Sequence, residues 1–390
     1  MKTKNILVII VVTLGLLFTG CSDKSTGPAE PVNTWHMIYE PDGYYNFFSI
    51  NPANDGAIVG GISDYNPFIA RIGSNGEILW ENKSSGDYSY VKSSTLSYGN
   101  NEYLVVSSDL TSGSHILFSR FTSDGTHLDN CLTNSGDGSV CRSFVNTFDN
   151  NIVLAGSSGR SAKLEKVNYD GALLWELTQI TLAPVSGIIG LIRTSDNGYL
   201  AICESYENQI VVKADVHGNK QWETPVDLLE GFDQFRRSNK PVECAGGGYL
   251  IAGARQNLTL TKLDSQGKLL WNKQYDEIDP ADGCAIVRDY DGYAITGTCF
   301  TYYENYDNDY LDIFLLKIDF SGNLLWYHKY SGYSESYFAE KKFTGEVASD
   351  ICKSSDGGYL ISGYVFGGGG IVIKTDHDGN VGDSVIVISD

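Results

Sequence analysis

Two stretches of the sequence set tyrosines beside carboxylates. Thr301 to Asp312 carries Tyr302, Tyr303, Tyr306 and Tyr310 with Glu304, Asp307, Asp309 and Asp312. Ser331 to Thr344 carries Tyr333, Tyr337 and Phe338 with Glu335 and Glu340. Such residues suit a sugar, whose hydroxyls bond carboxylates while its C–H face stacks on rings, and they suit a protein interface equally. Tyr302, Tyr303, Tyr306, Asp307, Asp309, Tyr333 and Tyr337 are therefore the candidate ligand-binding residues; surface loops without a partner are the plain alternative. Asp307, Asp309 and Asp312 could hold calcium with carbonyl help, but the Gly and distant Glu of an EF-hand loop are missing. No metal is assigned.

Other chemistry is thin. The six histidines are scattered, and His127, His217 and His377 fall at hairpins, where exposure to solvent is the simple expectation. Neither Gly-x-Ser-x-Gly nor His-Glu-x-x-His occurs, and Gly367 to Gly370 lacks the Lys-Ser/Thr of a phosphate cradle. No catalytic residue is assigned. Seven cysteines follow Cys21, none in a CxxC pair, which speaks against zinc. Cys131 and Cys141 bracket a short Gly/Ser/Asp loop and are the expected disulfide in an oxidising compartment.

The elements that must carry these loops are repeats. Lys262-Leu263-Asp264-Ser265-Gln266-Gly267-Lys268-Leu269-Leu270-Trp271 returns with the same spacing at Arg71 to Trp80, Lys166 to Trp175, Lys213 to Trp222 and Lys317 to Trp326. Arg120 to Asp129 is a degenerate copy, and Lys374 to Gly379 a copy without its tryptophan. The sixth tryptophan, Trp35, stands near the start in a similar setting. A turn followed by a short apolar run precedes each copy, most clearly Asp356-Gly357-Gly358-Tyr359, and Gly, Asn and Asp there mark hairpins. A small residue follows each such turn (Gly61, Ser107, Gly156, Cys203, Gly253, Gly297, Gly363), which predicts close approach of a neighbouring sheet. A basic residue opens every copy: Arg71, Arg120, Lys166, Lys213, Lys262, Lys317, Lys374. A contact at each inter-sheet seam, with a carbonyl or acid of the next sheet, accounts for it better than a catalytic ring of cations.

The turn glycines Gly76, Gly125, Gly171, Gly218, Gly267, Gly322 and Gly379 lie 49, 46, 47, 49, 55 and 57 residues apart. Four short strands per interval, seven times, predicts an all-β, seven-bladed β-propeller of four-stranded antiparallel blades. The chain enters at a tryptophan strand and the seventh unit lacks one. The N-terminal strand from Trp35 should therefore close the ring, with Val385 to Ser389 as the competitor. The widened last intervals are the two tyrosine-rich stretches, which emerge on one face of the ring next to each other.

The unit resembles the tryptophan-docked blades of quinoprotein-type propellers, in which Gly likewise stands four residues before Trp. The resemblance covers Trp35 to Asp390 and implies the fold, not an activity; the Asp-to-Gly spacing here is one residue shorter. A quinone-dependent dehydrogenase would show a vicinal Cys-Cys pair and the sequence has none, so no cofactor is expected. The chain is also similar to repeat lipoproteins of Bacteroidetes-like bacteria, with their Asp-Gly-Gly-Tyr and Leu-Leu-Trp units.

The N-terminus fits that likeness. Lys2 and Lys4 precede an apolar run from Ile6 to Phe18, too short to span a membrane and of signal-peptide length. Leu17-Phe18-Thr19-Gly20-Cys21 resembles a lipobox, with Cys21 the lipidation site; an ordinary secretory signal is the alternative. The expected divisions are signal peptide 1–20, tether 21–33 and propeller 34–390. The mature chain would carry 26 basic and 48 acidic residues, a charge of −22 that repels nucleic acid and anionic lipid. The sequence thus predicts a monomer held in the bacterial cell envelope by lipid on Cys21, acting as a non-enzymatic scaffold for an envelope protein or glycan. A glycan-acting hydrolase or lyase using carboxylates of the same loops is the alternative.

Overall fold

The computed structural model describes residues 33–388 except 40–42, 85–90, 100–101, 110–114, 134–138, 159–160, 179, 182–184, 206–207, 227–238, 255–256, 279–280, 302–309, 332–344, 367 and 383–384. The first strand is β1 (Trp35–Tyr39). Blade one is β2 (Tyr45–Ala53), β3 (Gly56–Ser63), β4 (Asn66–Ile72) and β5 (Ile78–Lys83). Blade two is β6 (Val91–Gly99), β7 (Glu102–Asp109), β8 (His115–Thr122) and β9 (His127–Leu132). Blade three is β10 (Ser139–Asn146), β11 (Ile152–Ser158), β12 (Ser161–Val167) and β13 (Leu173–Leu177). Blade four is β14 (Gly187–Arg193), β15 (Tyr199–Glu204), β16 (Gln209–Ala214) and β17 (Lys220–Val226). Blade five is β18 (Val242–Glu243), β19 (Tyr249–Ala254), β20 (Leu258–Leu263) and β21 (Leu269–Gln274). Blade six is β22 (Ala281–Arg288), β23 (Gly292–Thr301), β24 (Tyr310–Asp319) and β25 (Leu324–Tyr330). Blade seven is β26 (Glu346–Lys353), β27 (Tyr359–Val365) and β28 (Gly369–Lys374), completed by β1 and by β29 (Val385–Ile388). The molecule is a seven-bladed β-propeller.

Each tryptophan except one sits on the outermost strand of its blade and rests on the turn glycine of the next blade. A Cβ on Gly125 would lie 2.3 Å from Trp80, and one on Gly267 would lie 2.5 Å from Trp222. Both glycines also hold φ above +80°, in the left-handed region, so conformation and contact alike demand glycine there. Trp35, on β1, does the same for Gly76 and donates from Nε1 to Ser74 O at 2.7 Å. Blade two has Asp129 in place of the tryptophan, and Gly171 there meets Cys131 Sγ instead.

Ring closure uses both candidate strands. β1 pairs antiparallel with β28, from Trp35 opposite Lys374 to Tyr39 opposite Gly370. β29 then pairs parallel with β1 on its outer side, His36 opposite Val385. The N-terminal strand fills the missing place, and the C-terminal run clasps it rather than competing for it.

The small residues of the second strands serve a different purpose from the one expected. A Cβ on Gly61 would lie 1.9 Å from Asn46 O, one on Gly156 would lie 1.7 Å from Val140 O, and one on Gly297 would lie 2.0 Å from Asp282 O. These carbonyls belong to the innermost strand of the same blade, at a register shift: Phe47/Ser49, Cys141/Ser143 and Gly283/Ala285. The bulge pushes backbone toward its partner strand, and only a small side chain leaves it room.

Candidate functional site

Connections between second and third strands share one face with connections between blades; the hairpin turns within each blade's outer and inner strand pairs lie on the other. The blade six hairpin reaches furthest on the first face. β23 and β24 have ten residues each and pair without a break from Gly292 opposite Asp319 to Thr301 opposite Tyr310. The corresponding strands of the other blades have six to eight residues. At 3.3 to 3.4 Å per residue, this hairpin body projects by roughly two to four residues, on the order of 10 Å, past its neighbours. A parallel bridge joins Leu311 on β24 to Gly345, which ends the stretch between blades six and seven. The bases of the two insertions are therefore fastened together. The predicted ligand residues Tyr302, Tyr303, Tyr306, Asp307, Asp309, Tyr333 and Tyr337 lie outside the described residues.

Below those bases, Phe48, Ile62, Leu311, Val347 and Tyr364 form a buried cluster, with Tyr44, Phe300 and Phe366 packed on it. Phe48 meets Tyr364 edge-on at 5.9 Å, and Tyr44 stacks on the exposed Tyr65 at 6.3 Å. Three buried ionisable side chains accompany the aromatics: His36, Asp312 and Glu346. Asp312 is thus built into the hairpin wall. Burial drives the His36 pKa down to about 4, although Glu346 lies 3.9 Å from its ring. The imidazole is neutral there because desolvation outweighs the nearby carboxylate.

The opposite face bears the basic residues of the repeat. In five blades the cation takes the acid of its own blade's inner turn: Arg71 with Asp55, Lys166 with Asp149 at 2.7 Å, Lys213 with Asp196 at 2.9 Å, Lys317 with Asp289, and Lys374 with Asp356. Blade two has no such acid, and Arg120 pairs with Asp129 across β8 and β9. Blade five has Gly246-Gly247-Gly248 at the turn, and Lys262 donates to Phe320 O of blade six at 3.0 Å. The expectation of a partner in the next sheet holds for Lys262; the other pairs lie mostly within the blade, because the turn brings an acid nearer than the seam does.

Lys317 does both. Its ammonium is fully buried, 2.7 Å from Asp289 Oδ2, 2.7 Å from Asp291 Oδ1, and donates to Tyr359 Oη of blade seven at 2.7 Å. Tyr359 and Lys353 also donate to Asp289. Burial opposes charge on Asp289, but hydrogen bonds from Lys317, Lys353 and Tyr359 prevail and hold its carboxyl far below the usual range. Burial, with the Asp289 charge beside it, pushes the Tyr359 phenol up. His377 joins from the outer turn of blade seven, Nε2 3.5 Å from Asp289 Oδ2, its ring stacked on Tyr290 at 5.0 Å. It was expected in open solvent; the seam half-buries it. Asp289, Asp291 and His377 could converge on a metal ion, but the Lys317 ammonium already stands between the two carboxylates. The arrangement clasps blades six and seven.

Cys131 and Cys141 do not form the expected disulfide. Both remain thiols: Cys131 Sγ donates to Asp170 O at 3.0 Å and Cys141 Sγ to Ser143 O at 3.3 Å. The first is on an outermost strand and the second on the innermost strand of the next blade, so closeness in sequence becomes radial distance. Burial raises the Cys141 thiol to about 12, which leaves it inert. Cys21 lies outside the described residues. No helix among the described residues is long and apolar enough to cross a membrane.

No protein-family model and no curated protein matches the chain. Among solved structures, 725 chains match, so the architecture is widely shared and does not single out a function. The Dos1 propeller aligns over 91% of this chain and 97% of its own, with TM-score 0.53 and 10% identity. A protein of unknown function from Bacteroides caccae aligns over 74% of this chain and 94% of its own, with TM-score 0.46 and 15% identity.

Proposed function

We propose that the protein is a monomeric, lipid-anchored propeller of the bacterial cell envelope. It would act as a non-enzymatic scaffold that binds an envelope protein or glycan with the loop face of blades six and seven. The observation that carries this reading is the projecting β23–β24 hairpin, bridged at its base to the second insertion. A rigid ring supplies the platform and the two widest intervals of the repeat supply the contact, as is usual where loops carry function. Tyr302, Tyr303, Tyr306, Tyr333 and Tyr337 would stack on the ligand, and Asp307 and Asp309 would accept its hydroxyl or amide hydrogens. The buried Phe48–Tyr364 cluster beneath them would hold the loop bases rigid.

The test is capture from native envelopes with the mature chain as bait, and with Tyr303→Ala/Tyr337→Ala beside it. Loss of the captured partner with a melting temperature unchanged supports the site; stability should stay within about 0.5 kcal/mol, as at surface positions. An undiminished yield, or crosslinks that map to the turn face, overturns it. Release of a cleaved glycan by the bait would show a hydrolase or lyase instead.

A further inference from the structure

The exposed hydrophobic side chains are not scattered. Among the described residues, every large one that is exposed lies at the turn face or the rim beside it, except Tyr65 and Leu132. At the core of this set is one repeat position, the residue before the tryptophan. Leu79, Leu128, Leu174, Leu270 and Leu325 occupy it in blades one, two, three, five and six, each about half exposed (45 to 55%). Strand alternation points this position away from the tryptophan, so docking on the next blade does not require an apolar residue there. Nor is leucine a strand-favouring choice; β-branched and aromatic residues are. Blade four has Gln221 there, and five leucines of seven positions held open to water mark a surface that meets something apolar.

Blade seven has Thr34 at this position, and it is there that the chain arrives. Asn33 is tied to the outer turn of blade one by hydrogen bonds from Nδ2 to Ser74 O and Asn75 Oδ1, and its carbonyl accepts from Lys374 Nζ at 2.6 Å. Whatever holds residue 21 therefore pulls on the turn face. Residues 22–32 can span about 40 Å at most, enough to let the ring tumble unless a second contact orients it.

We propose that the leucine rim of the turn face rests on the lipid bilayer and so orients the ring, with the blade six and seven loops facing away from the membrane. This rests on the lipid-anchor reading above for its tether, and the leucines supply the second contact. The rim would settle at the headgroup–acyl boundary, where half-exposed leucines lose water while neighbouring charges such as Lys268 stay at headgroup level. The leucine contact is weak by itself; the tether supplies the effective concentration that makes it count.

The experiment separates orientation from lipidation. The chain from Ser22 onward, with an N-terminal hexahistidine in place of residues 1–21, is captured on phosphatidylcholine/phosphatidylethanolamine vesicles that contain nickel-chelating lipid. Quenching of tryptophan fluorescence by doxyl-labelled lipid is then read, since all six tryptophans lie near the turn-face ends of their strands. Expected is several-fold stronger quenching for the native sequence and for Leu132→Glu, on the opposite face, than for Leu79→Glu/Leu270→Glu/Leu325→Glu, with circular dichroism the same for all three. Equal quenching of all three, or none for the native sequence, overturns the proposal. So does a lipid-free dimer that the triple variant converts to monomer, since the rim would then face a second copy. Failure of Cys21 to carry lipid would show in membrane fractionation of the full chain and leaves this readout intact.

Discussion

The buried Lys317 is the residue on which the blade six–seven seam turns. A cation with no exposure is tolerable only because Asp289, Asp291 and Tyr359 surround it. Removing it leaves the fully buried Asp289 with the lysine of β26 and a phenol to meet its charge. Lys317→Met should therefore cost about 3 to 5 kcal/mol, the range for breaking a buried pair from one side. Lys83→Met removes an ammonium that is half exposed and 3.4 Å from Asp64, and should cost about 0 to 1 kcal/mol, as surface pairs do. Urea denaturation of both variants checks the contrast; a Lys317→Met cost as small as that of Lys83→Met would mean that the seam is held by apolar packing alone. The pattern behind this pair was legible as two separate marks, a turn acid and a strand cation. What joins them in four of the five blades is a nearly constant offset: 16 residues for Asp55 and Arg71, 17 for Asp149 and Lys166, 17 for Asp196 and Lys213, 18 for Asp356 and Lys374, against 28 for Asp289 and Lys317, whose hairpin has ten-residue strands and an inserted stretch. A hairpin running out along one strand and back along the next returns to its starting level after about that distance, which makes the partner local.

At the scale of elements, β1 differs from every other outer strand in having neighbours on both sides. Its five residues are all buried, Trp35, Met37, Ile38 and Tyr39 among them. At about 1.5 to 3 kcal/mol for each large apolar side chain, its removal should destabilise the ring by more than about 5 kcal/mol. Loss of Val385–Ile388, on the edge of the sheet with Val385, Ile386 and Ile388 half-buried, should cost only a fraction of that. Trp35→Ala, which keeps the strand and removes its dock on Gly76, should fall between the two. Thermal melts of the three chains test the order, and a chain lacking β29 that melts as low as one lacking β1 would make the C-terminal run the true lock. The phase of the repeat was enough to favour β1 over the C-terminal run, because a tryptophan is missing at one end and a spare one stands at the other. The bulges were not readable. Glycines at Gly61, Gly156 and Gly297 looked like sheet-packing residues, since their cause lies in the backbone of a strand some 15 residues upstream and leaves no residue type of its own. Cys131 and Cys141 misled for the related reason that a propeller turns short sequence separations at blade boundaries into the full width of a blade.

For the molecule as a whole, the features that would define its working surroundings lie at opposite faces. Among the described residues the contacts of the ring begin at Asn33, and Cys21 lies outside them. The acidic surface, −20 over the full sequence, disfavours a bilayer held by electrostatics alone. On the proposed reading a covalent lipid would then be the strong attachment, and the leucine rim without it would add too little to retain the protein. Cys21→Ser should move the protein from the membrane to the soluble fraction while its melting temperature stays within about 1 °C of the native chain, as expected of a residue on the proposed tether outside the blades. Membrane fractionation with a melt on the purified variant checks both halves. Retention in the membrane fraction would sink the lipid anchor. A lowered melting temperature would place the N-terminal segment within the fold rather than on a tether outside it.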